Sequence, residues 1–397
     1  MVNKIIPKIR FKEFNNEYNN CKLKDIVDFY RGNTLSKADL KENGIKKCIL
    51  YGELYTKYSE IAYEIFSRTN NSNKNLFLGK TNDVLIPCSG ETALDISTST
   101  CLQEDNVVIG GDLNVLRPKK DDGKYLSYLL CHKKRREIAK FAQGDSIVHL
   151  YGEKIKNINI HLPNMKEQIK VSDLLSLLDK KIELQQEKIE NLKLYKKGLI
   201  TNLLNKNQNT YFKNCFLHIG GTALEKYIIT NSKYRFISIG NYSSDGTYID
   251  NQQFIEFNEK TKEKLLNKDD LVMVLNDKTS QGKIIGSTIL VEQNDLYIYN
   301  QRSERIICKE NVLPKYAWIL LNSTSVRNYI FEKSQGGTQI YINFNEIEKM
   351  KLYVPDLIEQ ENIINTIFPL LKKIELQENK LKQLNDLRTS LLQQMFI

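Results

Sequence analysis

Shifted by 192 positions, residues 143–204 overlay residues 335–396 without a gap and with sixteen identities. The clearest match sets Lys180-Lys181-Ile182-Glu183-Leu184-Gln185 against Lys372-Lys373-Ile374-Glu375-Leu376-Gln377. So long a period is no solenoid repeat, so each copy must comprise a globular domain and a helix. Two copies of one unit in a single polypeptide imply two similar tasks at two places, with a separation set by whatever joins them.

Each copy opens with short β-type runs separated by turn signals. In the first these are Cys48 to Tyr51, Asp83 to Ile86, Asn106 to Ile109, Asn114 to Leu116 and Asn157 to Leu162, with a helix expected over 124–142. In the second, Phe236 to Ile239, Asp270 to Leu275 and Arg305 to Ile307 answer them, and a helix is expected over 316–331. The fold class is α+β, with two mixed, mostly β domains.

Beyond Pro163 and Pro355, apolar residues recur at 175, 178, 182, 189, 192, 199 and 203, the alternating three-four spacing of a coiled-coil seam. About forty residues at ~1.5 Å each make a rod of roughly 60 Å. We assign Leu178, Ile182, Gln185, Ile189 and Leu192, with Leu370, Ile374, Gln377, Leu381 and Leu384, to helix pairing and partner docking. Both copies break the seam at the same places, Gln185 with Gln377 and Lys196 with Arg388. Polar seam residues cost stability but specify register and partner, so the two helices are expected to pair with each other. The alternative, a helix packed only on its own domain, does not require position-by-position matching over more than five turns. Pro369 should kink the second helix or delay its start. The expected boundaries are 1–163 and 207–355 for the domains, with coiled-coil helices over 164–206 and 356–397.

The chain has 397 residues, enough for two or three domains. Its 58 Lys+Arg against 48 Asp+Glu leave a formal charge of +10, which favours a polyanionic partner, although a lysine-rich protein without one can carry the same balance. Seven cysteines, an odd number without a CxxC pair, argue against a disulfide framework or zinc site. No apolar run is long enough for a membrane span and residues 1–14 carry charges throughout, so a cytoplasmic protein is expected.

Catalytic signals are missing. Gly79-Lys80-Thr81 resembles the end of a phosphate-binding loop, but Lys74 stands where glycine is required and no helix-forming run follows, so a turn is expected. No GxGxxG offers a cradle for a dinucleotide or methyl donor, and His132, His149, His161 and His218 are scattered. No catalytic residue, metal site or cofactor is therefore expected on this chain.

Polar and aromatic loops remain. They carry Arg31, Asn33, Thr34, Tyr51, Glu53, Tyr55, Lys57, Ser89 and Gln143 in the first copy, and Thr222, Asn241, Tyr242, Asn276, Lys278, Arg302 and Gln335 in the second. Asn, Gln, Arg and Lys read base edges, while Lys, Arg, Ser and Thr hold phosphates. Ordinary turns have this composition too; recurrence in both copies is what raises the DNA-binding reading.

Particular motifs carry a resemblance. They are Pro7-Lys8-Ile9-Arg10-Phe11 with Phe14, then Lys22-Leu23-Lys24-Asp25-Ile26 leading to Gly32-Asn33-Thr34. Most specific are the domain ends: Gln143-Gly144-Asp145-Ser146 with Pro163 and Glu167-Gln168, and Gln335-Gly336-Gly337-Thr338 with Pro355 and Glu359-Gln360. Over nearly its whole length the chain resembles the specificity subunit of type I restriction-modification enzymes. A tryptophan often found before the first strand is absent; Cys21 and Cys215 lie nearby, and the sole Trp is Trp318.

The resemblance implies two target recognition domains joined by two long antiparallel coiled-coil helices, a pseudo-twofold internal repeat. Each domain would read one half of a split, asymmetric duplex site, with the rod as a ruler for half-sites about one turn, roughly 34 Å, apart. It further implies two modification subunits docked on the helices, which bind S-adenosylmethionine and methylate a flipped-out adenine at N6. Restriction and motor subunits would join later, and the chain itself would be non-catalytic. Two competing readings are a coiled-coil adaptor that reads no DNA sequence, and a single-chain methyltransferase or nuclease with unrecognised motifs.

Overall fold

The computed structural model describes residues 6–144 and 148–397, so Asp145 and Ser146 of the first glycine turn lie outside the described residues. The chain forms two compact units: residues up to Gln186 with Asn379–Ile397, and Glu187–Glu378.

In the first unit a five-stranded sheet runs in the order Val27–Arg31, Leu113–Pro118, Val84–Pro87, Thr100–Leu102, Ile61–Ala62. A four-stranded sheet holds Ser67–Thr69, Lys46–Ile49, Val107–Ile109 and Phe77–Gly79. Residues on a strand alternate between faces. Val84, Ile86 and Leu116 accordingly pack toward helices with Tyr125, Leu126 and Leu129, while Leu85, Leu113 and Val115 pack with Ile49, Val107 and Ile109 of the smaller sheet. Both faces are covered, which is why these strands read as unbroken apolar runs.

The second unit repeats the plan with two four-stranded sheets. One has the order Phe216–Gly220, Ser303–Cys308, Leu271–Val274, Thr288–Leu290; the other Ile228–Ile229, Phe254–Ile255, Arg235–Ile237, Tyr297–Tyr299. Leu271, Met273 and Ile306 face helices, whereas Val272, Val274 and Ile289 meet Ile237 and Tyr299.

Two local devices recur with the sheets. Buried Asp83 accepts both guanidinium contacts of Arg117 at 2.7 Å, and Arg305 reaches buried Asp270 at 2.8 Å. Just past the first long strand of each lobe, a Cβ on Gly32 would lie 2.0 Å from the Gly110 carbonyl oxygen, and one on Gly221 1.8 Å from that of Asn300. Only glycine permits these crossings, which accounts for the turn motifs Gly32-Asn33-Thr34 and Gly220-Gly221-Thr222.

The lobe helices are more broken than their apolar spacing suggests. In place of one helix over 124–142, Gly123–Tyr128, N-capped by Asp122, passes through a widened turn in which Lys134 N donates to Leu129 O, and resumes as Arg135–Ala139. In place of one over 316–331, Pro314–Leu321 stops and Thr324–Lys333 restarts on the Ser323 cap, whose side chain accepts from Val326 N at 3.5 Å.

The long helices are Met165–Leu204, of 40 residues, and Leu357–Gln394, of 38. Pro369 lies inside the second and does not delay its start. It sits on an exposed face, and burial of Ile363, Ile367 and Ile374 on either side outweighs one missing backbone bond.

In the first unit Val171 and Leu175 pack with Leu392, Met395 and Phe396, and further along Leu178 and Ile182 pack with Leu384 and Leu381. In the second, Lys193 Nζ meets Glu378 Oε1 at 2.8 Å and Leu204 packs with Ile363 and Ile367. Within each unit, therefore, the two helical segments run antiparallel. Ile189 and Ile374 are buried at their seam positions; Leu192, Leu370 and Gln377 are half-buried, and Gln185 is buried.

The Glu-Gln motif is the joint between lobe and helix. Buried Gln168 accepts from Asp122 N at 3.0 Å and donates to Asp121 Oδ1 at 2.8 Å and Pro163 O at 2.9 Å. Buried Gln360 accepts from Leu313 N at 2.9 Å and donates to Asn311 O at 2.9 Å and Pro355 O at 2.8 Å. Each glutamine thus fastens the first turn of a lobe helix to the proline that precedes its long helix. Arg10 of the opening motif grips Glu167 with two contacts of 2.7 Å.

Candidate nucleic-acid interface

Four of the expected first-lobe residues converge on one corner. Ser89–Gly90 pairs antiparallel with Val148–His149, and Ser89 Oγ lies 3.0 Å from His149 Nδ1. Gln143 and His149 exchange backbone bonds of 3.0 and 2.7 Å. Cys88 N donates to Asp112 O, and Asp112 pairs with Arg31 at 3.0 Å. Both partners of that ion pair are about half exposed, so it adds little stability and leaves Arg31 available to a ligand. The Tyr55 ring borders Gly90. Arg31, Tyr55, Ser89 and Gln143 are thereby brought together, with exposed Tyr51 on the turn that carries Tyr55.

Other expected residues have different surroundings. Exposed Asn33 accepts from the Thr34 hydroxyl at 3.4 Å, and Thr34 has φ +50°. Glu53 is buried; it accepts from Leu50 N at 2.9 Å and Lys57 Nζ at 2.7 Å, so Glu53 and Lys57 brace the loop that displays Tyr51 and Tyr55.

The second lobe builds a corresponding corner. Asn276–Asp277 pairs antiparallel with Ile340–Tyr341, and Gln335 and Tyr341 exchange backbone bonds of 2.8 and 2.9 Å. Leu275 N donates to Arg302 O, Thr222 bridges to Asn300, and Asn300 Oδ1 accepts from Arg302 N at 3.1 Å. Thr222, Asn276, Arg302 and Gln335 therefore border one another. Exposed Lys278 follows Asp277, whose carboxylate accepts from Thr279 N at 2.9 Å and Ile284 N at 2.8 Å and so closes the next loop.

Asn241 and Tyr242 are taken into the lobe interior. Asn241 accepts from Ser238 N at 2.9 Å and donates to Ile249 O at 2.9 Å and Asn251 Oδ1 at 2.7 Å. Tyr242 donates to Ser303 Oγ at 2.8 Å, and burial pushes its phenol well above the ordinary range.

Two arginines that loop composition did not single out hold these corners. Arg135 donates twice to Leu94 O, at 3.2 and 2.9 Å. Arg327 donates to Ile285 O, Ser244 O and Lys283 O at 2.8, 2.9 and 2.8 Å, and its burial brings the guanidinium pKa down to about 10. The two stand 192 positions apart, so extending the overlay eight residues upstream would have exposed them. His149 and Tyr341 are likewise related by the repeat.

Arg388 and Lys196, the matched seam exceptions, reach their lobes. Arg388 meets Asp179 of the facing helix and donates to Glu60 Oε1 at 2.9 Å, while Glu60 lies 2.5 Å from His132 Nε2. Burial alone would raise the Glu60 carboxyl; the His132 hydrogen bond and the charge of Arg388 overcome it and hold the group at about 2. Lys196 Nζ approaches Asp245 Oδ2 at 3.9 Å. These cations tie a long helix to a lobe, and Arg388 also bridges the two helices through Asp179.

Among the described residues, no group of three or more His, Cys, Asp or Glu is placed to hold a metal ion, and no helix is long and apolar enough to cross a membrane.

One lobe scaffold is thus used twice, each with a polar corner in the same place and different side chains lining it, which defines a two-domain protein with an internal repeat. The type I restriction modification DNA specificity domain matches residues 15–194 and again 214–386. The chain belongs to this family and carries its domain in duplicate. The MjaVIII type I restriction enzyme specificity subunit of Methanocaldococcus jannaschii is 25% identical over 347 residues, covering 79% of this chain and 77% of that one. The putative MjaX specificity subunit of the same organism is 24% identical, over 69% and 68%. A crystal structure of a type I restriction-modification S subunit from M. genitalium has the same fold, with TM-score 0.65 over 99% of both chains at 16% identity.

Proposed function

We propose that this chain is the non-catalytic DNA-reading subunit of a type I restriction-modification complex. Residues 1–163 read one half of a split, asymmetric duplex target and residues 207–355 the other, while helices 164–206 and 356–397 carry the partner subunits. The observation that carries this reading is the pair of polar corners. Their backbone is alike, but Ser89 and His149 in one stand where Asn276 and Tyr341 stand in the other. Reading two different half-sites requires such a common scaffold with unlike side chains.

The helices support docking of two copies of one partner. Within the identical hexapeptide, Leu184 and Leu376 are 54% and 57% exposed, the same bare leucine twice. We assign these surfaces to modification subunits, which would bring S-adenosylmethionine and methylate adenine; motor and nuclease subunits would complete the restriction complex. The chain would need no cofactor of its own.

The test is duplex binding by the chain assembled with its modification subunit. A sequence preference and affinity that falls steeply with salt are expected, since phosphate neutralisation releases counterions. Binding without preference and with a shallow salt slope would favour an adaptor instead.

A further inference from the structure

At the opposite end of the strands that lead into the second lobe's corner lies a patch of positive charge. Strand Phe216–Gly220 begins beyond Lys213 and ends at Gly221, and its neighbour Ser303–Cys308 runs back from Arg302 to Lys309. At that far end Thr210–Tyr211 pairs antiparallel with Lys351–Leu352. The Tyr211 ring, 41% exposed, has Lys213 Nζ 6.0 Å and Lys351 Nζ 5.5 Å from its centre. A groove of about 370 Å³ opens beside it, lined also by Gln208, Ser325 and exposed Lys349.

Carboxylates do not balance this charge. Lys349 holds Glu346 at 2.6 Å and His218 lies 3.4 Å from Glu348, but among the described residues Lys213 and Lys351 form no ion pair. Like charges left unbalanced on one surface repel each other and attract a polyanion.

We propose that Lys213 and Lys351, with the groove beside them, hold phosphates of the duplex whose bases meet the corner of the same lobe. The proposal rests on the DNA-reading function argued above and adds to it where the backbone is gripped. Strand Ser303–Cys308 has six residues, about 20 Å at ~3.4 Å each. A duplex also advances about 3.4 Å per base pair. A duplex laid along this strand therefore passes from the corner to the lysines in about six base pairs. Lysine acts on phosphate as a point charge and reads no base, which suits an anchor set apart from the reading residues. Gln208 and Ser325 are neutral donors of the kind that accompany such contacts.

The first lobe keeps the charge with other residues. Lys22 stands opposite Asn159 where Tyr211 stands opposite Lys351. Exposed Lys24 follows Lys22 by two positions, as exposed Lys213 follows Tyr211. Lys351 also stands shortly before the helix Leu357–Gln394, so a modification subunit docked there is the competing occupant. The unbalanced charge favours DNA, since every duplex presents phosphates whatever its sequence.

The experiment measures duplex binding over a range of salt by the chain assembled with its modification subunits. Each phosphate contact contributes about 0.9 to the slope of log affinity against log salt. The double variant Lys213→Gln with Lys351→Gln should therefore make that slope shallower by about 1.8 and weaken binding about sixtyfold at about 0.1 M salt. The loss should fade as salt approaches about 1 M. It should be equal on the cognate duplex and on duplexes with single base changes, so base ranking is unchanged. Replacing both lysines by arginine keeps the charges and should keep the wild-type slope. An unchanged slope in the glutamine variant, an altered base ranking, or a shallow slope in the arginine variant would each overturn the proposal. So would loss of subunit assembly with the DNA affinity of the assembled complex unchanged, which would give the patch to a partner subunit. A wild-type complex without sequence preference would instead refute the function on which the proposal rests.

Discussion

Gln168 and Gln360 do at the residue scale what the family signature requires. Each is buried and joins a proline carbonyl to the start of a lobe helix. Replacing one by leucine keeps the volume but strands a backbone N–H and two acceptors, at a cost of about 2–4 kcal/mol. Gln360→Leu should therefore lower the melting temperature of the second unit by several degrees. Differential scanning calorimetry checks this; a transition unchanged from wild type would contradict the joint. The identity of these glutamines and of the prolines they bind was legible in the motif, but their lobe partners, 46 to 49 positions away, were not. Asn241 shows the converse. It lies three residues after Ser238, the spacing of a reciprocal N-terminal cap, and that local pattern marks a structural asparagine more strongly than loop composition marks a DNA contact. Glu53, three residues after Leu50, makes one half of such a cap, its carboxylate accepting from Leu50 N at 2.9 Å.

Among the elements, the long helices were the most legible, because a repeating seam is local information. The seam pattern gave no sign that the Arg388 side chain spans to Glu60, 328 positions away in sequence. Arg388→Met would leave buried Glu60 and partly exposed Asp179 without their cation and should destabilise the first unit by about 2–4 kcal/mol in chemical denaturation; a loss below about 0.5 kcal/mol would make it an ordinary surface pair. The same network sets a pH dependence. The folded state holds the Glu60 carboxyl below its ordinary value of 4.5, at about 2, so its ionised form stabilises the fold. That contribution is complete above pH of about 4.5 and is lost as pH falls toward 2. The stability difference between wild type and Glu60→Gln should accordingly shrink from pH 6 to pH 3, and a constant difference over that range would exclude the ion pair as its source. The lobe helices were less legible: apolar spacing joins 316 to 331, yet the Asn322-Ser323 break is a capping decision that apolar periodicity cannot see.

For the whole molecule, duplication was visible in sequence because the helix ends retain identities, whereas the recognition corners are assembled from segments far apart. Ser89 meets His149, and Asn276 meets Tyr341, across 60 and 65 positions with no local signal for either pairing. The account makes these corners independent readers on a common frame. Replacing residues 207–355 with the equivalent domain of another family member, expressing the hybrid with the modification subunits, and sequencing modified bases across a genome tests this most directly. One half of the methylated target should change while the other half stays as in the wild type. A methylated target altered in both halves, or in neither, would contradict the assignment of one half-site to each lobe.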